Sequence, residues 1–131
     1  DTRNLETAMK ATKAAGAHAQ GTLVYTISPY HKDSDYLKLA KELVEMGADS
    51  ICIKDMSGLL APYACSSLVE ALKKEINIPI DVHSHCTSGM ASMALLKGSD
   101  VLKPVRTLWI RLCLPLRKPP AIPAPNLWFT P

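Results

Sequence analysis

Ser50-Ile51-Cys52-Ile53-Lys54-Asp55-Met56-Ser57-Gly58 is the stretch whose reading decides the fold. Small and apolar residues run without alternation into a lysine, and then into the loop Asp55-Met56-Ser57-Gly58. An unbroken short apolar run of this kind is what a strand buried on both faces looks like. Such strands belong to parallel sheets covered by helices.

The flanking segments supply those helices. Upstream, Asp33 or Ser34 can cap a helix that carries Tyr36, Leu37, Ala40, Leu43 and Val44 on one side and stops at Gly47. Before it, residues 18–27 read as a strand, with the β-branched and aromatic centre Thr22-Leu23-Val24-Tyr25-Thr26-Ile27, closed by Ser28-Pro29. Residues 3–15 read as a helix ended by Gly16. Downstream, a third helix follows Pro62 and carries Leu68, Ala71 and Leu72. Residues 78–84 form another strand, and residues 87–97 a fourth helix. Helices alternating with three strands predict an α/β fold with a parallel sheet, either an open doubly wound sheet or a slice of a (β/α)8 TIM barrel. Neither GxGxxG nor GxxxxGK[ST] occurs, which lowers the weight of nucleotide-binding versions. Three strands cannot close a barrel, and a complete one needs about 250 residues. In the barrel reading, roughly half or more of the fold is absent.

Composition bounds the remaining possibilities. The chain has 131 residues, 47% hydrophobic and 21% charged, which is ordinary globular usage and argues against an intrinsically disordered chain. No apolar run reaches the roughly 20 residues of a membrane-spanning helix, and no secretory signal is visible. The chain begins with Asp1 rather than Met, and so reads as a fragment or a processed product. Cys52, Cys65, Cys86 and Cys113 show no CxxC spacing, and read as small buried hydrophobes in a reducing cytosol rather than as a disulfide or zinc framework.

The net charge of +3 conceals a division. Residues 1–100 carry 10 basic and 12 acidic side chains, while 101–131 carry five basic ones (Lys103, Arg106, Arg111, Arg117, Lys118) and no acid. Seven of the ten prolines, both tryptophans and the only phenylalanine lie in that second part, which has no glycine. The two parts are therefore treated as unlike: residues 1–100 as the folded portion, 101–131 as a basic, proline-rich, irregular and disordered tail. Scattered charges among prolines make no periodic face, so nucleic-acid binding is not expected.

In either architecture, function gathers at the carboxyl ends of parallel strands. The polar residues of this chain collect there. One strand ends in Lys54-Asp55, the next in His83-Ser84-His85-Cys86-Thr87. Alternate residues of a strand share a face, so His83 and His85 project together, about 6–7 Å apart along the backbone, suited to neighbouring positions on one divalent ion. The plainer alternative is two hydrogen-bonded polar residues at a strand end. Lys54 follows an apolar run directly, so its stem is expected to be enclosed. Burying an ammonium is costly unless it is paired or neutralised, and the neutral amine reacts with carbonyls or carbon dioxide. The plainer alternative is an ion pair with Asp55 or another carboxylate. Thr87-Ser88-Gly89 can open a helix as an anion site or as an ordinary cap. His18 reads as a surface or packing residue, and His31 has no evident partner. Tyr25 and Thr26 lie near enough to the strand end to face the site, without any sequence feature that requires it.

The segments Asp1-Thr2-Arg3-Asn4-Leu5-Glu6, Tyr25-Thr26-Ile27-Ser28-Pro29, Ile53-Lys54-Asp55-Met56-Ser57-Gly58-Leu59-Leu60 and His83-Ser84-His85-Cys86-Thr87-Ser88-Gly89-Met90 together carry a more specific signal. In this order and spacing they resemble the carboxyltransferase domain of biotin-dependent enzymes, of the oxaloacetate decarboxylase alpha, transcarboxylase 5S and pyruvate carboxylase B type. The resemblance runs from residue 1 to about 97. It implies a (β/α)8 barrel of which this chain covers the middle, about three to four βα units. It implies that Lys54 takes up carbon dioxide to become a metal-bridging carbamate, and that His83 and His85 bind the metal, a divalent zinc, manganese or cobalt ion. It implies transfer of a carboxyl group between carboxybiotin and pyruvate or oxaloacetate, with biotin brought by a carrier domain or subunit, in a homo-oligomeric, cytoplasmic full-length parent. Such transfer passes through an enolate, whose negative oxygen needs a Lewis acid and fixed donors. A carbamate would also turn the awkward amine of Lys54 into an oxygen ligand.

The departures are equally informative. The family's remaining Asp ligand and its substrate-binding Gln and Arg lie on segments upstream of Asp1, so no substrate-binding residue is assigned. Its downstream Asp-Thr-Ala strand and Ser-Pro-Phe are replaced by the basic tail. A one-nucleotide shift lets Pro104-Val105-Arg106-Thr107-Leu108-Trp109-Ile110-Arg111-Leu112 be read as Ala-Cys-Glu-Asp-Ala-Val-Asp-Thr-Ala, the family's continuation, so the tail is expected to be an out-of-frame translation, which the coding DNA decides. The chain by itself is expected to be inactive. Two rivals remain open: a metal-dependent aldol-type lyase or synthase like HMG-CoA lyase, and a non-catalytic fragment binding zinc through His83, His85 and Cys86.

Overall fold

The computed structural model describes residues 2–101 and 108–112. Its elements are α1 (Arg3–Ala14), β1 (Gln20–Val24), α2 (Asp33–Glu45), β2 (Ser50–Asp55), α3 (Pro62–Glu75), β3 (Ile80–Ser84), α4 (Ala91–Asp100) and β4 (Leu108–Leu112). The strands form one parallel sheet in the order β1-β2-β3-β4. Sequential strands that neighbour each other, joined through helices, are the repeating pattern of a (β/α)8 barrel. The described residues supply four strands of one.

Alternation along the strands sorts side chains onto two faces. Leu23, Ile51, Ile53, Ile80 and Val82 point toward the helices and pack with Leu43 of α2 and Leu68, Val69 and Leu72 of α3. Each such side chain, once buried, contributes about 1.5–3 kcal/mol against the cost of ordering the chain. Gly98 lets α4 approach α3 closely, since a Cβ there would stand 2.8 Å from Cys65 Sγ. The other face carries Thr22, Val24, Ser50, Cys52, Lys54, Asp81 and His83, and in a closed barrel it lines the interior.

The structure shifts several sequence expectations. The first strand is shorter than 18–27: the Tyr25 N–H still donates to the Lys54 carbonyl at 2.9 Å, and past it the chain is tied to α2, where the Tyr25 ring stacks on Tyr36 with centroids 5.8 Å apart. Thr26 follows it: its N–H donates to the Tyr36 hydroxyl, which donates to the Thr26 carbonyl. The Tyr25 ring is therefore turned to α2 rather than to the strand-end site. The N-cap of α2 is Lys32, not Asp33 or Ser34, and the Asp35 carboxylate accepts the Lys32 N–H at 2.9 Å. The helices before β1 and β2 stop at Gly16 and Gly47, both left-handed, as expected. Asp55 belongs to β2 rather than to the loop after it. The fourth helix begins at Ala91, not at Thr87, because the residues before it form a turn tied to another loop. A fourth strand, Leu108–Leu112, pairs with β3 inside the segment expected to be irregular. Leu108-Trp109-Ile110-Arg111-Leu112 is rich in residues that favour strands, and β3 offers it an edge. The expectations for 102–107 and 113–131, including disorder and an out-of-frame origin, lie outside the described residues, as does Cys113. Among the described residues, Cys52 and Cys65 are buried and Cys86 is half-buried. No helix of the described residues is long and apolar enough to cross a membrane.

Candidate functional site

Parallel pairing sets Val24, Lys54 and His83 in one row across β1, β2 and β3. Register partners in a parallel sheet share a face and lie about 4.8 Å apart. Lys54 and His83 therefore leave the sheet side by side, at the carboxyl ends of their strands. His85 stands just past β3, its ring centroid 5.0 Å from that of His83 in an edge-to-face arrangement. The three residues picked out from the sequence are thus neighbours.

Their surroundings differ from the expectation in one respect. Lys54 is half-buried, not enclosed, because the open face of the sheet leaves room for its stem. Its ammonium has no ion pair or hydrogen bond among the described residues, so the pairing with Asp55 does not form. Asp55 points to the opposite face. There it is 1% exposed and accepts three hydrogen bonds, from Leu59 N–H (2.9 Å), Leu60 N–H (3.1 Å) and the Ser84 hydroxyl (3.1 Å).

The loops after β2 and β3 are joined. His85 N–H donates to the Asp55 carbonyl at 3.1 Å. The Thr87 hydroxyl donates to the Ser57 carbonyl and the Ser88 hydroxyl to the Gly58 carbonyl. The sequence suggests an ordinary helix cap here; both hydroxyls donate across the loops instead, and Ser88 Oγ also accepts the Met90 N–H at 3.4 Å. Gly58 is required at this junction, since its φ is +66° and a Cβ would lie 2.8 Å from the Thr87 backbone nitrogen. Cys86 takes the left-handed conformation with φ 55°, and its N–H reaches the Ser84 hydroxyl at 3.3 Å.

The donor set bears on a metal. His85 Nε2 is buried and has no hydrogen-bond partner among the described residues, an atom that a cation would satisfy. Two imidazoles beside an amine that can become a carbamate make an incomplete mixed nitrogen and oxygen set. Among the described residues no three His, Cys, Asp or Glu side chains gather to hold a metal ion. Cys86 therefore does not complete a zinc site with the two histidines, against the reading of a non-catalytic zinc-binding fragment. His83, His85 and Lys54 would fill part of a divalent site.

The remaining histidines have structural partners that sequence reasoning missed. His18 Nε2 lies 2.8 Å from the Ser50 hydroxyl, and His31 Nδ1 lies 2.7 Å from the Ser28 hydroxyl. Asp81, 5% exposed on the inner face one step before His83, was also missed, and its Oδ1 has no partner among the described residues.

A parallel sheet with helices on one face, and a lysine and two histidines at the carboxyl ends of adjacent strands, defines a section of an α/β barrel with its polar groups at the catalytic end. The chain belongs to the HMGL-like family, whose model matches residues 3–103. A pyruvate carboxylase subunit of Methanocaldococcus jannaschii is 62% identical over 106 residues, covering 78% of this chain and 19% of that protein. The methylmalonyl-CoA carboxyltransferase 5S subunit of Propionibacterium freudenreichii subsp. shermanii is 46% identical over 102 residues, covering 76% and 20%. The carboxyl transferase domain of Rhizobium etli pyruvate carboxylase, solved with pyruvate, superposes with a TM-score of 0.77 at 29% identity, over 86% of this chain and 19% of that one. The likeness to carboxyltransferases drawn from the motifs is borne out, and the partial barrel with it. The lyase alternative is not favoured. The chain spans about a fifth of the length of these two relatives.

Proposed function

We propose that this chain is the central part of a biotin-dependent carboxyltransferase acting between carboxybiotin and pyruvate or oxaloacetate. The observation that supports this most is the pairing of Lys54 with His83 across β2 and β3, with His85 beside it. In such a transfer the nitrogen–carboxyl bond of carboxybiotin breaks, the methyl proton of pyruvate passes to the freed biotin nitrogen, and the resulting enolate carbon bonds to the carboxyl carbon. A bound divalent ion would supply Lewis acidity toward the enolate oxygen. His83 and His85 would hold that ion through ring nitrogens, and Lys54, carbamylated, would add an oxygen ligand. The Thr87 and Ser88 hydroxyls tie the loop after β3 to the loop after β2.

The rest of the machinery belongs to other segments. The carboxyl carrier, the keto-acid contacts and a further ligand are supplied by a full-length, homo-oligomeric, cytoplasmic parent, and the isolated chain is inactive. The test is biotin-dependent transfer to pyruvate by a full-length parent carrying these residues. Lys54→Arg abolishes it, and unchanged transfer in that variant overturns the role given to the lysine.

A further inference from the structure

Asp55 is buried yet takes no part in the chemistry above. Its carboxylate faces away from Lys54, with which it shares a peptide bond, and accepts Leu59 N–H, Leu60 N–H and the Ser84 hydroxyl. Its backbone carbonyl accepts His85 N–H at 3.1 Å. One residue thus touches the loop after β2, the last residue of β3 and the residue after β3. Burying a carboxylate costs several kcal/mol unless donors replace its water, and three donors from two chain segments do so here. Each donor is held in turn. Leu59 and Leu60 follow Gly58, whose carbonyl is tied to Ser88, and Ser84 lies between the two histidines.

We propose that Asp55 is a positioning residue, whose buried carboxylate fastens the loop after β2 to the end of β3 and so holds Lys54 and the His83–His85 pair in one mutual geometry. This rests on the assignment of Lys54, His83 and His85 to a metal-assisted carboxyl transfer. Lys54 sits directly before Asp55, and Ser84 directly between the histidines. A shift at the latch therefore moves all three side chains relative to one another. Residues that orient metal ligands from behind typically alter metal affinity 10–100-fold when changed. The conservative change Asp55→Asn keeps size and shape, but it turns one acceptor oxygen into a donor that faces an N–H or O–H.

The experiment uses the whole 131-residue chain, followed by NMR with and without zinc ion. Asp55→Asn is expected to raise amide exchange at Leu59, Leu60 and His85 at least tenfold while Ile53 and Val82 keep their protection. The ring-proton signals of His83 and His85 move in the metal-free chain, and zinc affinity falls about tenfold. Ser84→Ala, which leaves the carboxylate its two amide donors, gives the same pattern at smaller amplitude, and it carries the test if Asp55→Asn unfolds the chain. Unchanged histidine ring signals in a folded variant overturn the proposal, as does uniform loss of protection in Ser84→Ala. A wild-type chain that binds no zinc counts against the metal assignment alone, since exchange and ring signals still report on the latch.

Discussion

Lys54 of β2 and His83 of β3 are register partners in a parallel sheet, so an amine and an imidazole from different βα units stand side by side on one face. Neither is brought there by its own helix or loop. The relationship follows from strand pairing and rests on the hydrophobic packing of Ile51, Ile53, Ile80 and Val82 on the opposite face. A one-residue slip of β3 would turn His83 toward the helices and bury it among apolar side chains.

The lysine is expected to form a carbamate. Supplying 13C-labelled bicarbonate to the chain should give a carbamate carbon signal that disappears in Lys54→Arg. A signal that persists in the arginine variant would place the adduct elsewhere.

Cobalt(II) absorption reads the histidine pair. One equivalent is expected to bind the chain weakly, given its incomplete ligand set, and His83→Ala or His85→Ala should each weaken binding at least tenfold. Cys86→Ala should leave the spectrum unchanged, and a thiolate charge-transfer band lost in that variant would contradict the exclusion of Cys86.

Gly58→Ala tests the junction of the two loops. The substitution forces a left-handed conformation on a residue with a Cβ and drives that Cβ against Thr87, so a destabilisation of about 1–3 kcal/mol is expected in urea unfolding. Cobalt binding should weaken in parallel. Wild-type stability in this variant would show that the loops yield freely.

The alkaline limit of stability is set in part by Cys65. Burial, with the Asp55 carboxylate adding to it, pushes this thiol from 9.0 up to about 11. The folded state thus holds the proton more tightly than the unfolded state. The stabilisation is complete below pH 9 and is lost as pH rises toward 11, with a ceiling of about 2–3 kcal/mol. Cys65→Ala should flatten that decline, in urea midpoints measured across this alkaline range. Alkylation of the native chain should label Cys86 well before Cys65.

Much of this was legible before any coordinates. The unalternating run at 50–53 reads as a buried parallel strand, and the alternation of helices and strands follows from composition and glycine stops. Lys54, His83 and His85 stand out because polar groups directly after apolar runs fall at strand ends. Other features carry no such mark. Asp55 reads as a loop residue or an ion-pair partner because nothing local announces three donors converging from Leu59, Leu60 and Ser84. Thr87 and Ser88 read as a cap because hydroxyls before a helix usually are one, while their acceptors lie 30 residues away. Leu108–Leu112 is obscured by its proline-rich neighbours, and it becomes a strand where β3 presents an unpaired edge.

Sequence alone determined the alternation of helices with the first three strands, the apolar side chains that build the core, and the placing of Lys54, His83 and His85 at strand ends, since these depend on hydrophobicity, β-branching and glycine placement along one segment. Tertiary structure decided which ends meet: that Lys54 faces His83, that Asp55 turns away to bind the neighbouring loop, and that Cys86 stays outside the group. Those outcomes depend on register and loop contacts between segments distant in the chain, whose energies no single segment contains.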